Sequence, residues 1–166
     1  RGAAHEACNE HLVLHRPDLI RKMHSEYCAV GVDAVETATF GSFALVLAEY
    51  GLADKAYEMN VIAARLAKEA AEEFSTPNRP RWVIGSMGPG TRLPSLGAIS
   101  FTALRDDYQE QAAGLIAGGT DVLLVETVYD LLQAKAALVA CRPAMAAAGV
   151  ELPRMLQVTM ETTGRM

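Results

Sequence analysis

The chain has 166 residues with a formal net charge of −5, and 51% of its residues are hydrophobic. This length suits one domain, here taken as residues 1–166, and the weak acidic balance argues against a nucleic-acid partner, which requires a basic surface. No run of about 18 apolar residues occurs, so no membrane span is predicted, and the N-terminal "RGAAHEACNEH" lacks the apolar segment of a signal peptide.

The first half of the chain is predicted to form a helix, a strand and a second helix. "RPDLIRKMHSEYCAVG" at 16–31 predicts a helix, because Pro17 suits its first position and Gly31 can end it. The apolar run "VDAVETATF" at 32–40 predicts a strand. "ADKAYEMNVIAARLAKEAAEEF" at 53–74 is rich in strong helix formers and predicts a long helix.

The first predicted helix carries an apolar stripe of the kind that faces a core. Leu19, Ile20, Met23 and Tyr27 fall on this stripe. His24 has neighbours of mixed polarity and is expected to be solvated.

The second half alternates strand and helix. Strands are predicted at 82–88, 121–127 and 155–160, and helices at 101–119 and 129–149. Pro143 is expected to kink or split the last helix. A Gly- and Pro-rich loop at 89–100 is longer than a simple connection needs.

Strand and helix therefore alternate four times. The strands are continuous apolar runs, a pattern typical of parallel strands covered on both faces. The fold class is α/β, either a doubly wound sheet or a (β/α)8 barrel.

Polar side chains gather where the predicted strands end. They are Glu36, Thr37, Thr39, Ser86, Glu126, Thr127, Thr159, Glu161, Thr162 and Thr163. In a barrel these strand ends meet at one rim, which predicts a shared polar cavity. The alternative is that a strand end is simply where the chain returns to water, since threonine is a common strand residue.

The cysteine and histidine spacings are weak indicators of a metal site. Cys8, Cys28 and Cys141 form no CxxC pair, which favours a reducing, cytoplasmic setting and small packed side chains. His11 and His15 could share one helical face, but no HExxH motif accompanies them.

Four stretches resemble the homocysteine-binding barrel of the cobalamin-dependent methionine synthase family. They are "ACNEHLVLHRPDLIRKMHSEYCAVGVDAVETATFGS", "GSMGPGT", "DVLLVETVYDLLQAKAAL" and "GVELPRMLQVTMETTGRM". The resemblance covers nearly the whole chain and implies part of a (β/α)8 barrel, roughly strands two to five with their helices. Other homocysteine S-methyltransferases share the layout less closely, which leaves the methyl donor open.

The resemblance implies a zinc-dependent homocysteine S-methyltransferase. In the family, zinc held by three cysteines binds homocysteine as a thiolate, because the metal lowers the pKa of the thiol. The thiolate takes a methyl group from methylcobalamin to give methionine. Folate and cobalamin domains and the missing half of the barrel are expected elsewhere in the same chain.

The resemblance also assigns residues to the substrate head group. Glu126 matches the glutamate that holds the amino group of homocysteine, and Thr37 matches a rim threonine near that group. Glu36 and Thr39 are their neighbours on the rim. Ser86 and Thr159 stand at equivalent strand ends without a role to carry over, and no catalytic residue is expected in this stretch.

Two departures from the family pattern bear on activity. The family reads Thr-Asn-Thr-Phe where this chain has Thr37 to Phe40 with Ala38, which removes an amide. None of the cysteines matches a zinc ligand, and both ends of the chain look cut. We expect these residues alone neither to bind zinc at the family site nor to catalyse methyl transfer.

Three other functions stay open. One is a non-catalytic half barrel that pairs with another chain, and a second is a homocysteine methyltransferase with a different methyl donor. The third is an unrelated α/β barrel enzyme in which "GSMGPGT" is a phosphate loop, although this segment lacks the GK[ST] ending and favours a flexible rim loop.

Overall fold

A computed structural model describes residues 8–164. Four strands form one sheet: β1 (Ala34–Glu36), β2 (Trp82–Met87), β3 (Val122–Val128) and β4 (Arg154–Val158). All three pairings are parallel, and the strand order is β1-β2-β3-β4. The predicted parallel sheet is confirmed, because continuous apolar strands need neighbours and helices to cover them.

The strand order distinguishes the two candidate architectures. Each strand pairs with its predecessor, as in Ala34 with Trp82, Ile84 with Val122 and Leu123 with Arg154. A doubly wound sheet reverses its strand order at a switch point, whereas a barrel adds strands in one direction. The fold is therefore a partial (β/α)8 barrel, as the resemblance implied.

The helices follow the strands in a consecutive layer. They are α1 (Leu12–His15), α2 (Pro17–Ala29), α3 (Ala44–Leu47), α4 (Ala56–Phe74), α5 (Phe101–Ala117) and α6 (Leu131–Ala148). Short 3-10 helices lie at Asn9–His11, Ala48–Tyr50, Ala53–Lys55 and Pro94–Leu96. Helix α2 packs on α4, α4 on α5, and α5 on α6. In the described part of the chain no helix combines the length and apolar character needed to cross a membrane.

Small residues set the spacing of the helix layer. The faces that α4 and α6 bury consist mainly of alanine. At Gly118, which caps the C-terminus of α5, a Cβ would stand 2.5 Å from the Cβ of Ala64 and 2.6 Å from the carbonyl oxygen of Val61. The backbones of α4 and α5 are therefore too close for any larger residue at this contact.

Helix α2 turns a different face to the core than its sequence predicts. Ile20, His24 and Cys28, spaced four apart, are its buried residues. His24 is 1% exposed, so the prediction that it is solvated is wrong. Burial lowers its pKa to about 4. The rest of the predicted stripe, Met23 and Tyr27 included, lies exposed because α2 packs on α4 through the adjacent face.

Helix α6 is continuous through Pro143, so the predicted split does not occur. Proline removes the hydrogen bond to the carbonyl four residues earlier, that of Val139. Val139 is 39% exposed, so the missing bond lies on the solvent side of the helix. The interruption is therefore tolerated on the outer side of the helix. Sequence inferences about residues 1–7, including the missing signal-peptide segment, lie outside the described residues.

Two apolar surfaces remain open at opposite ends of the layer. The α2 stripe consists of Leu19, Met23, Tyr27 and Val30, each between 38% and 81% exposed. The α6–β4 groove, of about 570 Å³, is lined by residues that include Leu131, Leu138, Arg142, Arg154 and Leu156. Each lies beside a strand with only one neighbour in the described sheet.

Candidate functional site

The carboxyl ends of β1, β2 and β3 bring polar side chains together at one edge of the sheet. Glu36 ends β1, Ser86 lies near the end of β2, and Glu126 lies near the end of β3. The hydroxyl of Ser86 donates a hydrogen bond to Oε1 of Glu126, with an oxygen–oxygen distance of 2.5 Å. The strand ends thus form a rim, as the sequence predicts.

Thr37 and Thr39 form a closed ring of hydrogen bonds with the backbone of Ser86. The Ser86 N–H donates to Oγ1 of Thr37 at 3.0 Å, and the Thr39 hydroxyl donates to the Ser86 carbonyl at 2.7 Å. The two threonine oxygens are 2.6 Å apart. Since Thr39 has used its only proton, Thr37 must donate to Thr39. All three residues are buried.

This ring replaces a missing stretch of strand. Pairing between β1 and β2 ends at Glu36 opposite Ile84, and the Thr37 N–H makes a last bond to the Ile84 carbonyl at 2.9 Å. Beyond this point the Ser86 N–H and C=O have no partner on β1, and a buried backbone group without a partner is costly. The threonine hydroxyls satisfy both groups. This is a structural reason for threonine at these positions.

Gln111 supports the same region from the helix layer. Its side-chain amide donates to the Thr39 carbonyl at 2.8 Å, and Gln111 is fully buried on α5. A buried glutamine in a helix carries a cost unless its amide is paired. The residues that hold the rim therefore come from β1, β2 and α5.

The electrostatics of the rim favour a cation. Partial burial raises the pKa of Glu36, and the negative charge of Glu126 raises it further. None of the ion pairs within residues 8–164 involves either carboxylate. Two neighbouring carboxylates without a basic partner form a suitable site for an ammonium group.

The β3 backbone is irregular beside Glu126. Thr127 has a φ of +57°, in the left-handed region that residues other than glycine seldom adopt. The pairing of β3 with β4 shifts between Val125 and Val128, with one extra residue on β3. The Thr127 hydroxyl donates to Oε2 of Glu126 at 3.3 Å. Each oxygen of the carboxylate thus has one donor among the described residues.

The "GSMGPGT" segment is packed against the layer beneath it. A Cβ at Gly88 would stand 2.7 Å from the Phe40 ring, and one at Gly90 would stand 3.0 Å from the Phe43 ring. The Tyr108 hydroxyl donates to the Gly88 carbonyl at 2.9 Å. Close packing is therefore sufficient to explain why glycine occupies positions 88 and 90.

Thr159 follows β4 and lies apart from this cluster. Its N–H donates to the Val128 carbonyl at 2.7 Å, and the residue is exposed. The structure therefore joins Glu36, Thr37, Thr39, Ser86 and Glu126 but leaves Thr159 as a backbone contact.

The cysteines of this chain do not fit a three-thiolate zinc site. Cys8, Cys28 and Cys141 belong to three different buried clusters. Burial raises the pKa of each thiol, that of Cys141 to about 11. Within residues 8–164 no three His, Cys, Asp or Glu side chains are grouped as a metal would need. The rings of His11 and His15 meet edge to face with centroids 4.0 Å apart.

Sequence reasoning found the carboxylates and threonines but not what they contact. It left Ser86 without a role and did not single out Gln111. Ser86 could have been suspected as the polar residue in the otherwise apolar "WVIGSM", and Gln111 as a polar residue between buried helical positions.

Fold and site together define an α/β barrel protein with its polar groups at the carboxyl ends of the strands. A family model described as homocysteine S-methyltransferase matches residues 2–166, and the chain belongs to this family.

The similar curated proteins are much longer than this chain. It is 46% identical over 161 residues to the methionine synthase of Mycobacterium tuberculosis (strain ATCC 25618 / H37Rv), an alignment covering 97% of this chain and 14% of that protein. The methionine synthase of Mycobacterium leprae (strain TN) is also 46% identical over 161 residues, 13% of its length. The chain thus spans about one seventh of these relatives.

Solved structures with the same fold include the homocysteine methyltransferase MmuM from Escherichia coli. Its metallated form matches with a TM-score of 0.75 and 21% identity, covering 90% of this chain and 54% of that one. Its apo form matches with a TM-score of 0.68 and 20% identity, covering 95% and 55%. At this identity the likeness shows the fold.

Proposed function

We propose that this chain is part of a homocysteine S-methyltransferase module of the methionine synthase type. The module binds homocysteine as a thiolate for methyl transfer from methylcobalamin, giving methionine. Family membership and the relatives named methionine synthase support the reaction class. The observation that carries the site is the pair of rim carboxylates, Glu36 and Glu126, with no basic partner in the described residues.

In this proposal the rim binds the amino-acid head group of the substrate. Glu126 accepts hydrogen bonds from the ammonium group, and Glu36 adds negative charge beside it. Thr37 keeps one unused lone pair on its hydroxyl and can accept a further donor. Thr39, whose proton is committed to Ser86, contributes to the site by holding it in place.

Zinc and cobalamin belong to the full-length protein in this proposal. The described donors of this chain do not fit the zinc site, so its contribution is amino-acid binding. We infer that the chain alone does not catalyse methyl transfer and that a cytoplasmic setting suits its three free cysteines.

We further infer that other barrel strands cover the open surfaces. The α2 stripe and the α6–β4 groove lie beside the two strands with one neighbour each. In a closed barrel, the neighbouring helices would bury both. We call this chain together with those strands the completed barrel. A second chain in the same place would make it an assembly half barrel instead.

The test of the proposal is the Glu126→Gln variant of the full-length protein. Losing the charged partner of the ammonium group should weaken homocysteine binding by about 1.5–3 kcal/mol, roughly 10- to 150-fold in Kd. Isothermal titration calorimetry measures this directly. Glu151→Gln is the matched control, because Glu151 is an exposed carboxylate just before β4, at the opposite end of the strands. Equal affinity of wild type and Glu126→Gln would refute the role of Glu126.

A further inference from the structure

We propose that Ser86 is a positioning residue that makes the site selective for substrates with a primary ammonium group. It acts through Glu126, and the inference rests on the proposed function. The contact that assigns this role is the 2.5 Å hydrogen bond from the Ser86 hydroxyl to Oε1 of Glu126.

The backbone of Ser86 is fixed independently of its side chain. Thr37 accepts from its N–H and Thr39 donates to its C=O, and on the other side β2 pairs with β3, where Leu124 is the register partner of Ser86. The hydroxyl takes no part in any of these bonds. A residue 2% exposed and held from both sides presents its hydroxyl from a rigid point.

The hydroxyl fixes one side of the Glu126 carboxylate. A serine hydroxyl has a single proton, and here it goes to Oε1. Hydrogen bonds to ionised acceptors are stronger than those between neutral groups, and within residues 8–164 Oε2 has only the longer 3.3 Å bond from Thr127. Of the two donors, Ser86 therefore determines the orientation of the carboxylate.

Orientation matters because the carboxylate accepts several bonds at once. Each oxygen has about two acceptor positions, and Ser86 and Thr127 occupy one on each. The remaining positions can accept N–H donors from an ammonium group. Without Ser86 the Glu126 side chain gains rotational freedom, which it must lose again when an ammonium group binds.

The quantity to measure is the preference of the site for a ligand that carries an amino group over one that lacks it. Loss of a purely structural residue would not alter this preference. Homocysteine is compared with 4-mercaptobutanoate, which has the same thiol and carboxylate but no amine. In the full-length protein, Ser86→Ala should lower the ratio of the two affinities about tenfold, with 4-mercaptobutanoate binding unchanged. The substitution leaves the Thr37–Thr39 ring intact, so the fold should persist.

Thr120→Val is the matched control. Thr120 is also buried, and its hydroxyl donates to the Val83 carbonyl at 3.3 Å, near the start of β3 and away from the rim. The Thr120→Val variant should leave the ratio of homocysteine affinity to 4-mercaptobutanoate affinity unchanged. A double-mutant cycle completes the test, because Ser86→Ala should have little further effect on the ratio in the Glu126→Gln protein.

The outcomes separate this inference from the function it rests on. An unchanged ratio in Ser86→Ala, or an equal loss of affinity for both ligands, overturns the role of Ser86 if Glu126→Gln still lowers the ratio. If Glu126→Gln leaves the ratio unchanged, the assignment of Glu126 itself fails. A tenfold loss in Ser86→Ala that persists in the Glu126→Gln background also overturns the inference, because Ser86 would then act through another group.

Discussion

Asp130 binds Ser95 through both the backbone N–H and the hydroxyl of the serine, at 3.1 Å and 2.6 Å from the same carboxylate oxygen. The other oxygen of Asp130 caps helix α6 by accepting from the N–H groups of Leu132 and Gln133 at 2.8 Å and 3.2 Å. One buried carboxylate thus fastens the loop after β2 to the start of α6. Burial alone would raise the pKa of Asp130, but the hydrogen bonds from Ser95, Gln133 and Leu132 together lower it.

Asp130→Ala should destabilise the completed barrel by about 1–3 kcal/mol, since it removes a helix cap and leaves the Ser95 N–H without its acceptor. Urea unfolding followed by circular dichroism measures the difference. Asp106→Ala is the control, because Asp106 is an exposed acid on α5 paired with Arg105 on the surface, and its loss should change stability by less than about 0.5 kcal/mol. An equal loss of stability in the two variants would show that the hydrogen bonds of Asp130 do not stabilise the fold.

His24 should make stability fall between pH 6.5 and 4. Its pKa is lowered from 6.5 to about 4 by burial, so the unfolded chain takes up the proton first as the pH falls. The stability lost over this window is about 3 kcal/mol, and none is lost above it. His24→Leu should remove this part of the pH dependence, while replacement of the exposed His15 by Gln should retain it. Parallel curves of unfolding free energy against pH for the wild type and His24→Leu would contradict the prediction.

Gly118→Ala should destabilise the contact between α4 and α5. Gly118 caps the C-terminus of α5, where the preference of a helix interior for alanine does not apply, and the Cβ of alanine would meet Ala64 and the Val61 carbonyl at 2.5 Å and 2.6 Å. Overpacking of this kind costs about 1–3 kcal/mol, so the variant should be less stable than the wild type. Thr102→Ala, on the exposed side of α5, should be neutral or slightly stabilising. Thermal unfolding distinguishes the two, and a higher Tm for Gly118→Ala would be the contrary result.

Glu36→Gln should affect stability and binding in opposite directions. A raised pKa means that the ionised form of Glu36 is disfavoured in the folded state, because of burial and the nearby charge of Glu126. At pH 7 the neutral amide should therefore stabilise the fold, by less than about 1 kcal/mol since solvent screens the exposed side chain. If the rim holds an ammonium group, homocysteine affinity should fall in the same variant. A loss of stability together with unchanged affinity would refute both parts.

Residues 1–166 expressed alone should self-associate. The α2 stripe and the α6–β4 groove are open, and unpaired strand edges are templates for pairing. Light scattering after gel filtration should show a mass above that of a monomer. Replacing Tyr27 and Leu156 by Lys should lower the mass, whereas Thr102→Lys on the solvent side of α5 should not. A monomeric wild-type chain at tens of micromolar would contradict the prediction.

The sequence predicted the sheet well because apolar runs such as "VLLVETV" have no other stable place than a covered parallel strand. It also placed Glu126 and Thr37 at strand ends. It could not show that Thr37 and Thr39 complete the hydrogen bonds of Ser86, because that depends on where β1 stops pairing with β2. His24 was misjudged for a related reason, since the sequence does not show that α4 packs against the face of α2 that carries Ile20, His24 and Cys28.

The extra residue in β3 also governs which side chains reach the core. In an uninterrupted strand, Val128 would share a face with Glu126, because alternate residues point the same way. The irregularity after Val125 instead returns Val128 to the cluster that contains Leu123 and Val125. Deleting one residue between Val125 and Val128 would restore simple alternation and keep Val128 on the face of Val125, with the loss of Glu126 or Thr127. A one-residue gap at this position in an alignment of relatives would therefore mark the loss of a residue at the rim without a change in core composition.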